Sequence, residues 1–391
     1  MKIAIIGGGP SGLYLALLLK RHRPDWDVNV VEQNAPDATF GFGVVLADTG
    51  LMQMQEADGE SYDAICAAMH YNERHKIVQN EVPIEFALNV KGGAIPRLRL
   101  LEVLQDQATR AGVGLRFGER INAASDLDAL GLGDADVVVG ADGINSVIRR
   151  EFADEFGTTE RALNNRFSWY GTKRVFDTPA LVFRRHDGGH FVAHYYAYSA
   201  DMSTFVAECD AATWFRLGLD QRTDTQRQAL IEQIFAPELD GASLVSNHSI
   251  WRQFPVVRNS QWSHGRYVLI GDALASAHFS IGSGTRIAMM DSIALAGSLL
   301  ANESDPRAAL TLFEREHAAD KAKFIIASER SFDWYEDMAQ WMDQYSPEEF
   351  VYRFMVRTGR VDEERLYQEF PELMQRLDMA PRAAHAPTAG V

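Results

Sequence analysis

The chain has 391 residues, enough for two or three packed units around a large apolar core. Hydrophobic residues make up 46% and charged residues 24%, the balance of an ordinary globular protein. The formal net charge of -16 argues against a nucleic-acid partner, whose phosphates need a basic surface, and against an anionic membrane.

Residues 1–6 read as a buried strand that runs straight into Gly7-Gly8-Gly9-Pro10-Ser11-Gly12. Residues 13–20 read as a helix and 27–32 as a second strand, which together make a β–α–β unit. A G-x-G-x-x-G opening a helix lets the backbone turn tightly and approach a pyrophosphate, which then sits on the unpaired N–H groups of the helix start. Glu32 lies about twenty residues beyond Gly12, where a carboxylate accepts from ribose hydroxyls. This unit points to a dinucleotide and leaves FAD and NAD both open. Residues 99–111 form a second expected helix, with Leu100, Leu101, Leu104 and Ala108 on one side.

Residues 136–140 (DVVVG) are a further buried strand, leading into Asp142-Gly143 with Ser146 and Arg149 at helical spacing. From about 167 to 209 the texture changes to short aromatic and β-branched runs split by Asp, Gly and Ser, which predicts an inserted antiparallel sheet. On such strands His194 and Tyr196 share a face. Another strand ends in Gly271-Asp272, and a helix is expected after Gly282-Ser283-Gly284. An Asp there can accept from a ribityl hydroxyl, and the helix N-terminus offers positive potential to a flavin ring. Helices dominate beyond 287, and the Pro- and Ala-rich residues 381–391 read as a disordered tail.

Cys66 and Cys209 stand far apart, so neither a disulfide framework nor a thiolate metal site is expected, and a reducing cytoplasm fits. His186 and His190 flank a turn with no third ligand beside them, so no metal is expected. No run approaches the roughly 18 apolar residues of a membrane span.

Taken in order, the Gly7, Asp142-Gly143 and Gly271-Asp272 motifs resemble the group A flavoprotein monooxygenases, the p-hydroxybenzoate hydroxylase-like family. The resemblance covers the chain to about residue 370. It implies an α/β fold: a three-layer Rossmann-like FAD-binding domain, an inserted antiparallel-sheet substrate domain and a helical C-terminal part. The expected FAD-binding domain is 1–72, 97–166 and 264–330, the substrate domain 73–96 and 167–263, and the C-terminal helices 331–380. The FAD contacts implied are Gly7, Gly9, Pro10, Ser11, Gly12, Glu32, Asp142, Asp272, Gly282 and Gly284. Arg97 with Leu100 and Leu104 resembles the family's helix start beside the flavin, and the Phe40–Val44 stretch, with Gly43 and Val44, its glycine loop.

The implied reaction uses NAD(P)H as a transient reductant, and O₂ captured by reduced FAD as a C4a-hydroperoxide that hydroxylates a small aromatic substrate. The string Ala277-His278-Phe279-Ser280-Ile281-Gly282-Ser283-Gly284-Thr285 resembles a subgroup of salicylyl-CoA and 2-aminobenzoyl-CoA hydroxylases and of bisindole-pathway tryptophan hydroxylases. Here Ala275, Phe279 and Arg286 replace the family's His, Pro and Asn. The stretch Phe354–Arg360 looks nearer the aryl-CoA branch. Candidate catalytic residues are His278, Tyr170 and Tyr196. The basic pairs Arg149-Arg150, Lys173-Arg174 and Arg184-Arg185 are candidate contacts for a coenzyme A tail. A flavin dehydrogenase, a halogenase and a non-catalytic FAD-binding protein are the competing readings, and the sequence does not indicate an oligomeric state.

Overall fold

The structure, a computed structural model, describes residues 1–379 apart from 48, 89–91 and 283. The expected disordered tail therefore lies outside the described residues. The strand Lys2–Ile6 (KIAII) is almost wholly buried, as a strand covered on both faces must be. It is the centre of a six-stranded sheet ordered Ser263–His264, Tyr267–Leu269, Val137–Gly140, Lys2–Ile6, Asp27–Glu32 and Gly114–Phe117. All neighbours are parallel except the edge hairpin of the first two.

Register decides what this sheet can do. Ile6 pairs with Gly140, and Gly140 with Leu269. The chain therefore leaves three adjacent strands at one level, and the turns beginning at Gly7, Ala141 and Ile270 emerge side by side. Ligands of open parallel sheets bind at such strand ends. The helix Pro10–His22 starts there with Pro at its first position, and packs against Gly284–Ala301 and Arg97–Arg110.

A seven-stranded sheet follows the order Leu244–Ser246, Arg166–Thr172, Ser203–Cys209, Gly189–Ala197, Ala180–His186, Arg74–Gln79 and Val82–Ala87. It is antiparallel apart from the pairing of Ala180–His186 with Arg74–Gln79. The four aromatic runs are thus four of its strands. One face carries Phe167, Trp169, Val192, His194, Tyr196, Val206 and Glu208; the other packs Tyr170, Tyr195 and Phe205 against Trp214, Ile231 and Phe235.

Two smaller sheets tie the parts together. Gly92–Pro96 pairs with Gly43–Ala47, and Pro255–Asn259 with Thr158–Ala162. Pairing thus crosses both the 96/97 and the 166/167 boundaries expected from sequence. The helix Pro306–Glu336 runs from the first core, where Phe313 is buried, to the seven-stranded sheet, where Tyr335 is buried. The helices Pro347–Val356, Glu363–Glu369 and Pro371–Met379 cover the far end of that sheet. Among the described residues no helix is long and apolar enough to cross a membrane.

Candidate active site

The strand ends open into a cleft of about 1070 Å³. Gly7, Gly9, Pro10, Ser11, Glu32, Gly43, Val44, Arg97, Asp142, Asp272, Gly282 and Gly284 all line it. Gly12 lies beneath, and its role is packing. A Cβ on Gly12 would stand 2.1 Å from the Gly7 carbonyl oxygen, so the turn closes only without a side chain. Gly9 differs: a Cβ there meets nothing within 4 Å and would project into the open cleft at the helix start.

Glu32 is held at both oxygens. Oε2 accepts from the Gly8 N–H at 2.7 Å, and Oε1 accepts from the Asn34 backbone N–H at 2.9 Å and side-chain amide at 2.6 Å. Asp142 accepts from the Val147 N–H through Oδ2 at 2.7 Å, while its buried Oδ1 has no partner. Burial pushes the Asp142 carboxyl up, against the hydrogen bonds it accepts. Arg149 lies beneath this turn and donates to the carbonyls of Ile144 and Ala273, tying the second motif to the third.

Asp272 is open to the cleft yet deep in the molecule. The surrounding protein raises its carboxyl pKa, and Lys321 and Arg97 pull it back. Behind it, Asp291 Oδ2 accepts from the Gly271 N–H at 2.8 Å and from Lys321 Nζ at 2.6 Å. This buried ion pair holds the Gly271 turn, and sequence reasoning missed it. Arg97 sits half-buried on the cleft wall, and burial lowers its pKa. Its backbone N–H donates to the Phe42 carbonyl at 2.8 Å, joining the helix start to the glycine loop.

These residues fit an FAD. The orphaned Asp142 oxygen, the bare helix start at Gly9, the fixed carboxylate of Glu32 and the length of the cleft match a ligand with a pyrophosphate and two polyhydroxylated arms.

A second, smaller cavity of about 230 Å³ joins the cleft where His194, Val206, Phe279 and Gly282 line both. Its walls are largely apolar, among them Ile77, Phe86, Leu181, Val192 and Phe354. Into it face His75, Glu208, Tyr335 and Arg357, contributed by four distant segments. Burial pushes Glu208 up to about 8; the Asn165 amide, bonded to Oε1 at 2.9 Å, opposes this, and Oε2 is buried without a partner. Burial first, and then Arg357, lowers His194 to about 4; His75 falls to about 3, with burial again the largest cause. Arg357 donates to Ser331 Oγ and to the carbonyls of Phe354 and Ser280, lies 3.8 Å from the Phe354 ring centroid, and is lowered by burial to about 10.

Two of the three candidate catalytic side chains are placed away from the cavities. Tyr170 projects from the opposite face of its strand, because the period-two alternation that turns Phe167 and Trp169 to the cleft turns Tyr170 away; its hydroxyl accepts from Trp251 Nε1 at 3.0 Å. His278 lines neither cavity. Its Nδ1 accepts from the Ser280 N–H at 3.2 Å and contacts Ser280 Oγ at 2.7 Å, and its ring packs against Phe254 and Phe279. Burial lowers it to about 3, so it is a neutral core histidine. Tyr196 does line the cleft beside His194, but its hydroxyl is taken by the Gly43 carbonyl at 2.9 Å.

Of the six basic side chains in the three pairs, three are used internally and the other three are exposed. Arg184 is buried against Glu81 and Glu238, Arg185 pairs with Asp343, and Arg149 lies beneath the Asp142 turn. Lys173 and Arg174 are exposed, and Arg150 is exposed on the cleft. Among the described residues no group of three His, Cys, Asp or Glu could hold a metal ion.

The profile of the FAD binding domain family matches residues 1–322. The chain is 38% identical over 374 residues to a salicyloyl-CoA 5-hydroxylase of Streptomyces sp, covering 92% of this chain and 70% of that protein. It is 34% identical over 360 residues to a protodeoxyviolaceinate monooxygenase of Chromobacterium violaceum, covering 91% and 94%. Similarity to a 3-hydroxy-4-methyl-anthranilyl-[aryl-carrier protein] 5-monooxygenase of Streptosporangium sibiricum is 35% over 301 residues, covering 77% and 80%. With a family match over most of its length and these relatives, the chain belongs to the FAD binding domain family and is an FAD-dependent aromatic monooxygenase.

Proposed function

We propose that this chain hydroxylates the ring of an ortho-hydroxy or ortho-amino aryl thioester, with NAD(P)H as transient reductant and O₂ as oxygen source. The observation that carries the reading is the cavity of about 230 Å³ opening into the cleft past Phe279 and Gly282. It has room for one substituted aromatic ring and none for a coenzyme A tail, which must lie outside while the ring is held inside. Two of the relatives act, by name, on rings carried as a coenzyme A or carrier-protein derivative.

When bound, the flavin supplies the electrons and the activation of oxygen. The chain's own residues do the rest. Gly7, Gly9, Pro10 and Ser11 present the helix start to the pyrophosphate, Glu32 takes ribose hydroxyls, and Asp272 the ribityl chain. Asp142 would offer its unpartnered oxygen, and Gly43, Val44, Arg97, Gly282 and Gly284, which line the cleft, would border the ring. Phe279 stands where the ring pocket meets the cleft, its ring centroid 4.6 Å from that of Phe167 on the cleft wall, and this aromatic pair makes the passage between them apolar. Arg357, a half-buried cation whose side-chain hydrogen bonds go to neutral groups, favours a substrate that carries negative charge or an electron-rich oxygen.

A second reading is an indole-derived substrate, which the protodeoxyviolaceinate relative and the pairing of Arg184 and Arg185 with protein carboxylates favour. The test is substrate-stimulated NAD(P)H oxidation with identification of product, using salicylyl-CoA, 2-aminobenzoyl-CoA, their free acids and indolic compounds. Thioester turnover with affinity falling steeply in salt is expected. Turnover of an indole with no response to thioesters would reject the thioester and leave the hydroxylase.

A further inference from the structure

We propose that Glu208 is a catalytic residue of the ring pocket, whose Oε2 takes the proton of a hydroxyl on the bound aromatic ring. This rests on the aromatic-hydroxylase reading and extends it to a residue that lies outside every cofactor motif. The geometry is specific. Glu208 is 3% exposed, it faces the ring pocket, and one oxygen is fixed by Asn165 while the other is buried with no partner. A lone unpartnered carboxylate oxygen in an apolar cavity is costly unless something completes it.

The groups facing it come from every element around the pocket. His194 stands on the neighbouring strand and His75 on Arg74–Gln79, Tyr335 and Glu336 end the long helix, Arg357 follows Pro347–Val356, and Asn165 precedes the strand Arg166–Thr172. Of these, Glu336 pushes the Glu208 carboxyl up and Asn165 holds it down. The two histidines are poor rivals as bases. Their protonated forms titrate at about 4 and about 3, against about 8 for Glu208, which lies close to the range of a ring hydroxyl.

In the step, the ring O–H bond breaks and its proton passes to Oε2, giving a neutral carboxylic acid. The bonding pair moves into the ring, raising electron density at the carbon to be oxidised. No net charge enters the pocket, since carboxylate and phenol become carboxylic acid and phenolate. Glu208 returns its proton to solvent after product leaves.

The test uses the holoenzyme in its oxidised state, without reductant, titrated with salicylamide and with benzamide and read by perturbation of the flavin spectrum. Wild type should favour salicylamide by about 10-fold, the worth of one hydrogen bond to a charged group, and Glu208→Gln should abolish the preference. In turnover, kcat/KM should rise with pH through about 8 in wild type. Glu208→Gln should lose that rise and about 10²-fold in rate while keeping its flavin. Retention of both the preference and the pH-dependent rise in Glu208→Gln would overturn the proposal. Asn165→Ala provides a second route should Glu208→Gln not fold. Removing the bond that holds the carboxyl down should move the rise to higher pH, and an unmoved profile counts against Glu208. Failure of the hydroxylase reading looks different: wild type would oxidise no NAD(P)H with any aromatic, while the salicylamide preference and its loss in Glu208→Gln would persist.

Discussion

The cleft and the ring pocket share a wall at Phe279 but are built on opposite plans. The cleft is made by backbone: three turns leave three adjacent strands at one level, and N–H groups, carbonyls and absent side chains shape it. The ring pocket is made by side chains, with His75, Glu208, Tyr335 and Arg357 separated by up to 282 positions in the chain. A site made by backbone constrains residue type at fixed spacing, whereas one made by side chains constrains only what finally meets in space. The first tolerates no bulk where its ligand lies, and the second is sensitive to charge.

The sharpest break in that comparison is Gly9→Val. A Cβ there meets no protein atom within 4 Å and points into open cleft, so the chain should fold with an unchanged apo melting temperature and carry essentially no flavin. Absorbance per chain and a thermal melt check both halves, and a yellow Gly9→Val protein would remove the cleft assignment.

Acid should act first on the ring-pocket side. His75, His194 and His278 are neutral in the fold, with pKa values depressed to about 3, 4 and 3, well below the usual value near 6.5. Below pH 6.5 the unfolded chain binds protons that the folded chain does not, so stability is full above that pH and falls as pH drops towards 4. Each histidine contributes at most about 1.4 kcal/mol per pH unit, and Glu208, which keeps its proton in the fold, offsets one of the three, leaving about 3. Denaturant titrations between pH 7 and 4.5 measure this, and a flat profile would contradict the burial described.

Lys321→Met tests the backbone side through the buried ion pair with Asp291. It would leave Asp291 uncompensated beneath Gly271, at about 3–5 kcal/mol of stability and with weakened flavin retention. Denaturant unfolding and the rate of flavin release report the two effects separately.

The smallest effect is expected at Tyr170. Tyr170→Phe removes only the acceptor for Trp251, so it should cost about 1 kcal/mol and leave flavin content and substrate affinity unchanged. A large loss of substrate affinity would mean that the strand's two faces are assigned the wrong way round.

The same contrast explains what could be read before any coordinates. The Gly7, Asp142 and Asp272 turns were legible because glycine spacing, strand ends and helix starts are local, and the four aromatic runs were legible as strands because alternation is local too. Tyr170 is a candidate by its place on the expected substrate sheet, and His278 by its place where flavin and substrate should meet. Which face a strand turns to a cleft depends on neighbours such as Trp214 and Phe235, and no local pattern carries that. Glu208 did leave a trace, a single acid within the otherwise uncharged run Ser203–Cys209. A charge in a strand buried throughout is rarely decorative. Arg357 entered only by likeness of its neighbourhood, and the ion pair of Asp291 with Lys321 left no trace, since either residue alone reads as an ordinary helix-surface charge.

The helix Pro306–Glu336 connects both plans in one rod. Lys321 fastens the Asp291 that carries the Gly271 turn, and fourteen residues further, about 21 Å along the axis, Tyr335 stands in the wall of the ring pocket. Between them Ser328 accepts from the His278 N–H and Ser331 meets Arg357. Distance and angle between the two seats are therefore set by a count of residues, as a gear train is set by its teeth. One residue added or removed between 322 and 334 would turn Tyr335 by about 100° against Lys321. Both seats could survive such a change intact, and they would no longer face one another.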